Sequence, residues 1–479
     1  MSNLARMRHR TRPSLRDRRL AIGLFAAASL ASVSTFAGAA GPLPPMPVSG
    51  ATPQAVSVPV RTLSFPVYDA NGDRGMASWR VSPAGGNCCE TYVSATPSGR
   101  LVESGGTYPW YTNDEGRHWF QVKFDIPDQN DNSATVAGGE GATVVGPGGD
   151  VYGVTWDAYS GDHLQAYRYT AQTNSWKVAD VVMKSPFYDR PWLTYAQGHF
   201  TLDKAKTKQI LDVTGGGITR DVDTLSSDGL NYGDSSYYAD QEKQAATASI
   251  AIPVVANPDA DWWQPHPGTS TLPLSGGGVL RFNNGDDITQ ERGCDIARLN
   301  PATSTWQCVK VKGTFTPGVI RQDSRGYLTD VYSTEGGAAL ALATSRDGGL
   351  HWHAITLRPP GAPRKLETST MYDVVANGVL GQAVVSARFD DAKGNGQDVV
   401  FRVDTKTAQP RRLQTYLVGK GDINTANDVT GSAGYRFDYE SVALLPDGHI
   451  AVSFDDSTCL QPSTRDATHR SPEVAILAG

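Results

Sequence analysis

Thr112-Asn113-Asp114-Glu115-Gly116-Arg117-His118-Trp119 and, far downstream, Ser345-Arg346-Asp347-Gly348-Gly349-Leu350-His351-Trp352 share one pattern, S/T-x-D-x-G-x-x-W. The pattern describes a turn with a physical logic. A short carboxylate accepts the amide hydrogens of the turn, Gly takes a backbone conformation that other residues resist, and Trp offers a large apolar surface for packing. Echoes at Thr173-Asn174-Ser175-Trp176 and Thr303-Ser304-Thr305-Trp306 keep the Trp and lose the Asp. A turn that recurs in this way predicts a repeated unit.

The sequence around these turns is that of short strands. From Val58 onward, alternating segments rich in Val, Thr, Tyr and Trp are punctuated by Gly-, Asp- and Asn-containing turns, with no long helical periodicity. Pro97-Ser98-Gly99, Pro147-Gly148-Gly149-Asp150, Ser275-Gly276-Gly277-Gly278, Asp323-Ser324-Arg325-Gly326, Ala376-Asn377-Gly378 and Pro446-Asp447-Gly448 each separate two strand-like runs. They predict the first tight hairpin of a repeated antiparallel unit. Unit starts fall near Glu90, Glu140, Asp189, His266, Arg321, Asp373 and Glu440. Most intervals match the roughly 40 to 50 residues of a four-stranded propeller blade. The expected fold is therefore all-β: a β-propeller of seven blades in preference to six, occupying residues 55–479 as a single domain. The stretch from about Asp221 to Lys243 is expected as an insertion loop. The last unit, Tyr439 to Leu477, is short of a strand, which the run from Ala55 to Val67 can supply, closing the ring and removing exposed sheet edges. Two packed β-sandwiches are the competing architecture, against which stands the lack of a mid-chain linker.

The chain has 479 residues and a formal net charge of −6, with 39% hydrophobic residues. It is too apolar for a disordered protein and too acidic for a field that would release counterions from nucleic acid, so nucleic acid is excluded as an expected partner. Seven arginines crowd the first nineteen residues, and Leu20 to Ala40 is apolar, ending Ala37-Gly38-Ala39. This predicts an export signal over residues 1–40, a flexible leader over 41–54, and a secreted or periplasmic protein with no membrane attachment after cleavage. A single membrane anchor is the competing reading of the apolar stretch. Cys294 and Cys308 can face each other across a hairpin, where a disulfide would contribute about 3 kcal/mol in the chain-entropy model. Cys88, Cys89 and Cys459 leave an odd count among the 5 cysteines.

The two octets resemble Asp-boxes of the sialidase, or BNR-repeat, superfamily of β-propellers. In that family the box is a structural staple. The segment Asp438-Tyr439-Glu440-Ser441-Val442-Ala443-Leu444-Leu445-Pro446-Asp447-Gly448 is similar to the last-blade segment of sialidases, where a Tyr opening the inner strand is the nucleophile. The resemblance gives Tyr439 that role. It implies an exported carbohydrate-active enzyme, a glycoside hydrolase acting on an acidic glycan in the axial pocket.

In a propeller, residues that open the innermost strands converge at one rim of the central channel. Here these are Glu90, Glu140, Asp189, Asp373 and Glu440, with Arg190, His266 and Arg321 as counter-charges and Arg80 and Arg436 as further arginines able to meet a carboxylate. Crowded carboxylates raise one another's pKa, which keeps a general acid protonated near neutral pH. In the hydrolase reading Tyr439 or Glu440 attacks or stabilises the anomeric centre, Asp189 or Glu140 is the proton donor or base, and Arg190 and Arg321 hold an anionic sugar. His266, Glu90 and Asp373 complete the substrate-binding set. Tyr188-Asp189, Tyr372-Asp373 and Tyr439-Glu440 repeat a Tyr-acid pair, and strand alternation sends one member to the channel and the other between blades. No resident cofactor or metal is expected, with calcium at Asp390-Asp391 or Asp455-Asp456 the alternative. A polysaccharide lyase on the same scaffold, with Tyr439 or His266 as base, and a non-catalytic glycan- or protein-binding propeller remain open. Sequencing the N-terminus of protein recovered from the medium or periplasm should find a chain starting at Ala40 or Gly41. Recovery of intact residues 1–40 in a membrane fraction would identify an anchor instead.

Overall fold

The computed structural model describes residues 52–56, 58–82, 92–104, 109–123, 143–156, 163–173, 175–182, 191–196, 199–204, 223–226, 228–231, 271–275, 278–282, 296–300, 302–303, 305–309, 318–334, 339–360, 367–390, 396–418, 441–455 and 472–478. Three strands come first: β1 (Thr52–Val56), β2 (Arg61–Asp69) and β3 (Arg74–Ser82). Antiparallel meanders follow. The first is β4 (Tyr92–Ala95), β5 (Leu101–Ser104), β6 (Trp110–Thr112) and β7 (Trp119–Lys123). The next is β8 (Thr143–Val145), β9 (Val151–Trp156), β10 (His163–Thr170) and β11 (Ser175–Val182), followed by β12 (Pro191–Ala196), β13 (His199–Lys204) and β14 (Asp223–Ser226). Then come β15 (Thr271–Leu274), β16 (Gly278–Phe282), β17 (Ile296–Asn300) and β18 (Thr305–Val309), and β19 (Val319–Gln322), β20 (Leu328–Ser333), β21 (Leu340–Ser345) and β22 (His353–Leu357). The last two are β23 (Glu367–Asn377), β24 (Gln382–Asp390), β25 (Gly396–Asp404) and β26 (Arg411–Val418), and then β27 (Ser441–Leu444), β28 (Ile450–Asp455) and β29 (Pro472–Leu477).

The predicted turns lie where expected, joining the first and second strands of their meanders. Pro97-Ser98-Gly99 links β4 to β5, and Pro446-Asp447-Gly448 links β27 to β28. The first strands touch in succession, β19 against β23, β23 against β27, β27 against β4, β4 against β8, β8 against β12 and β12 against β15. The ring continues from the β15–β18 meander to the β19–β22 meander through one apolar cluster containing Leu272, Leu280, Ile320 and Leu328. The described chain is all-β except for one short 3-10 turn at Pro147–Gly149, and the arrangement is propeller-like.

Apolar clusters lie between neighbouring meanders. Val319, Leu342, Tyr372 and Phe401 join the β19 and β23 meanders, while Leu101, Trp119, Ala443 and Ile476 join the first meander to the last. Gly318 permits one of these contacts by close approach, because a Cβ there would meet the Val331 carbonyl oxygen at 1.9 Å and the Tyr372 hydroxyl at 2.5 Å.

Two expectations are corrected. The strand that completes the last meander is β3, paired with β29 from Val474↔Ser82 to Leu477↔Trp79, and not the run from Ala55 to Val67. That run is split: β1 adds a fifth strand beyond β7, and β2 pairs with β3 and, at Val67–Asp69, with β26. The reason lies in burial, since Trp79 and Val81 of β3 are fully buried whereas most of β2 is only half-buried. The Asp69 turn, which accepts amide hydrogens from Asn71 at 2.8 Å and Asp73 at 2.9 Å, folds β2 back onto β3. The second correction is that Asp223–Ser226, inside the expected insertion loop, is strand β14 on β13. Residues 1–40 and 41–51 lie outside the described residues, and β1 opens at Thr52. Among the described residues no helix is long and apolar enough to cross a membrane.

Both octets build the same turn. Thr112 Oγ1 accepts the Gly116 amide at 2.9 Å, and Ser345 Oγ accepts that of Gly349 at the same 2.9 Å. Asp114 Oδ1 accepts the His118 amide at 2.9 Å, and Asp347 Oδ1 that of His351 at 3.0 Å. Burial opposes ionisation of either Asp, and the bonds from the His four residues later, with that from the Thr or Ser opening the box, outweigh it, so both carboxyls sit below their ordinary range. Trp119 is fully buried and donates Nε1–H to Ser82 Oγ at 2.8 Å, tying the first box to β3; Trp352 is partly buried against the preceding meander. An arginine of the preceding meander also reaches the fourth box position, with Arg80 Nε 3.1 Å from the Glu115 carbonyl and Arg298 Nε 2.7 Å from that of Gly348. Trp119→Ala should lower the unfolding free energy by about 3–5 kcal/mol. Trp352→Ala should cost less, and equal costs in urea titrations would refute the assignment of Trp119 as the seam's main apolar anchor.

Candidate functional site

The first strands enclose a cavity of about 180 Å³ whose wall is built by β4, β8, β12, β19, β23 and β27. Polar bonds rivet these strands to one another. Ser94 on β4 and Thr143 on β8 share a hydrogen bond of 2.7 Å, and the Val93 amide donates to Ser441 Oγ at 2.8 Å. The Val442 amide donates to Asp373 Oδ2 at 3.3 Å, carrying the link from β27 to β23.

Arg321 and Asp373, two of the predicted rim residues, meet in this wall. Arg321 Nη2 lies 3.3 Å from Asp373 Oδ1 and donates to the Tyr92 hydroxyl at 2.9 Å. The three come from β19, β23 and β4, so only closure of the ring brings them together. Tyr372 and Asp373 divide as strand alternation requires, the Tyr into the core between meanders and the Asp into the cavity wall.

Side chains of the cluster are shielded, with relative exposures of 17% for Arg321 and 2% for Asp373. Burial pushes the Asp373 carboxyl up from 3.8 to about 6 against the pull of Arg321 and of the Val374 and Val442 amides. Burial also raises the Tyr92 phenol, opposed by Arg321. For Arg321 burial works downward, and its partners Tyr92 and Asp373 bring about a net rise. Above about pH 6 the pair is ionic; below it Asp373 is neutral and Arg321 carries an uncompensated charge into the cavity wall.

Tyr439, Glu440, Asp189, Glu140, Arg190, His266 and Glu90 lie outside the described residues, as does Arg436. So do the side chains of the calcium candidates Asp390-Asp391 and Asp455-Asp456. The strands concerned begin just after several of these positions, at Tyr92, Thr143, Pro191 and Ser441. Arg80 is corrected: it lies on β3 against Glu115 of the first box, not in the cavity wall.

Tyr92 was not among the predicted site residues, and the signal for it was alternation, since it falls two positions after Glu90 and so on the same side of an extended chain. Glu103 on β5 is a second unforeseen group, opposite Val93 and Trp110 in the ladder. It is fully buried, neither carboxylate oxygen has a hydrogen-bond partner among the described residues, and burial pushes its pKa from 4.5 up to about 8. An acid inside the apolar run Leu101-Val102-Glu103-Ser104 is the sequence trace of this group.

No protein-family model and no curated protein matches this chain. Solved structures similar to it include a protein of unknown function from Dyadobacter fermentans, 12% identical over 87% of this chain and 98% of that one, at a TM-score of 0.38. Another is the NanB sialidase from Streptococcus pneumoniae, 14% identical over 82% of this chain and 68% of that one, at 0.35. A third is a PL25 ulvan lyase, 9% identical over 82% of this chain and 94% of that one, at 0.36.

The two raised carboxyls have a defined consequence for stability. A carboxyl whose folded pKa exceeds its unfolded value binds protons more tightly when folded, so its contribution is present at low pH and is lost as pH rises through the folded value. Unfolding free energy should therefore fall between about pH 4 and 6 on account of Asp373, and between about pH 4.5 and 8 on account of Glu103. In urea titrations at pH 5 and 8.5, Glu103→Gln should remove most of the loss. An unchanged slope in that variant would show that Glu103 ionises freely.

Proposed function

We propose that the protein is an exported seven-bladed propeller whose axial cavity is the active site of a carbohydrate-active enzyme, a glycoside hydrolase acting on an acidic glycan. The observation that carries this reading is the Tyr92–Arg321–Asp373 cluster, a shielded cation, a carboxyl and a phenol contributed by three meanders to one cavity wall. The blade count rests on the meanders that begin at β4, β8, β12, β15, β19, β23 and β27, the last completed by β3.

The chemistry assigned to the site is acid–base hydrolysis of a glycosidic bond. Arg321, with Arg190, receives the carboxylate of an anionic sugar. Tyr439 or Glu440, just before β27, attacks or stabilises the anomeric carbon, and Asp189 or Glu140 gives the leaving oxygen its proton. Glu90 and His266 complete the substrate contacts. Neutralisation of Asp373 as pH falls through about 6 leaves Arg321 available to the sugar carboxylate, so binding of an anionic glycan strengthens in mildly acidic solution. Export implies an oxidising compartment, where a Cys294–Cys308 disulfide can persist.

One observation favours a second reading. Asp373 accepts both Arg321 and the Val442 amide, as a structural rivet would, and in that case the ring is a non-catalytic glycan-binding scaffold. Incubation with sialylated and uronate-containing glycans separates the readings. Release of reducing ends supports the hydrolase, an unsaturated product absorbing in the near ultraviolet indicates a lyase, and binding without either product indicates the scaffold. In the hydrolase, Glu440→Gln should abolish turnover while leaving the thermal midpoint nearly unchanged. A large drop in the midpoint would make Glu440 structural.

A further inference from the structure

Away from the axial cavity, the first box turn meets the hairpin between β27 and β28, and three ligand-type atoms converge there. Glu115 occupies the fourth box position, where the second box has Gly348, and it is the one non-glycine with positive φ, 54°, among the described residues. Its Oε2 takes the Arg80 guanidinium, while its Oε1 faces His449 Nδ1 at 3.4 Å. Asp447 Oδ2 faces the same nitrogen at 3.2 Å. That nitrogen is shielded from solvent and makes no hydrogen bond of adequate geometry among the described residues. It is thus directed between two carboxylates, within ion-pair distance of each.

The spacing fits a metal shell. Tetrahedral coordination at zinc bond lengths places neighbouring ligand atoms on the order of 3.3 Å apart. The separations of 3.2 and 3.4 Å match that edge, and the three donor atoms all lie within 4.8 Å of one another. An imidazole with two carboxylates suits zinc or a similar first-row dication, whereas calcium and magnesium take oxygen ligands. Arg80 on the outer Glu115 oxygen holds the carboxylate as a partner of a metal ligand does. A groove lined by Asp114, Glu115, Arg117, Pro446 and Asp447 adjoins the cluster and leaves room for a further ligand. Three carboxylates there, Asp114, Glu115 and Asp447, stand against the guanidiniums of Arg80 and Arg117, so with the imidazoles of His118 and His449 neutral the surroundings carry one net negative charge, which favours a cation.

We infer that Glu115, Asp447 and His449 form a zinc-class divalent-metal site that ties the last meander to the first. It is separate from the proposed active site and independent of the function assigned to the cavity. The test uses the mature chain after chelator treatment, titrated calorimetrically with zinc at neutral pH. One ion per chain in the micromolar range or tighter is expected, with a rise in the thermal midpoint that millimolar calcium does not reproduce. Asp447→Asn, at an exposed position, and His449→Gln should each weaken binding by at least about tenfold. His351→Gln, at the box histidine of the β19 meander, should leave it unchanged. Absence of zinc binding, binding undiminished in Asp447→Asn and His449→Gln, or equal loss in His351→Gln would overturn the site.

Discussion

Everything in this molecule depends on the pairing of β3 with β29, which joins a strand near the start of the folded chain to its last strand. Without that ladder the last meander would end in an open edge. With it, β4 lies against β27 and the Val93 amide reaches Ser441 Oγ across 348 residues of sequence. The seam is reinforced in layers: the ladder itself, the buried Trp119 with its bond to Ser82, and the Arg80 contact with the first box. Only the ladder needs both chain ends in place; the Trp119 and Arg80 contacts link β3 to the first box across 37 and 35 residues of sequence.

The box turn uses the same small set of atoms twice for a purpose that is local in one sense and global in another. Its Thr or Ser hydroxyl and its Asp organise eight consecutive residues, which requires no tertiary partner. Its Trp and its fourth carbonyl then reach the preceding meander, turning a local motif into a joint between units. The two copies differ where function diverges from architecture, since Gly348 in the second box is Glu115 in the first, and Glu115 brings a carboxylate to the seam.

Around the axis the constraint is desolvation. A charged side chain facing a space walled by β-strands must find a partner or change its protonation; Arg321 keeps its charge through Asp373 and the Tyr92 hydroxyl, and Asp373 is both partnered and pushed toward its neutral form. Glu103 meets the same constraint one strand further from the axis, without a partner among the described residues and with its proton retained. Buried acids of this kind convert a change in solution pH into a change in the charge of the interior.

Local chemistry was legible in the sequence: the two boxes, the turn that opens each of several meanders, the strand character of the chain and the division of Tyr372 from Asp373 follow from turn residues and alternation, whose causes lie within a few residues. Arg321 and Asp373 were also identifiable one at a time as polar residues in inner strands. Their mutual contact, the part played by Tyr92, and the choice of Arg74–Ser82 over Ala55–Val67 as the completing strand were decided by tertiary structure alone. These outcomes depend on which apolar faces gain most by burial when the chain ends meet, and on distances between segments hundreds of residues apart, quantities that no local pattern encodes.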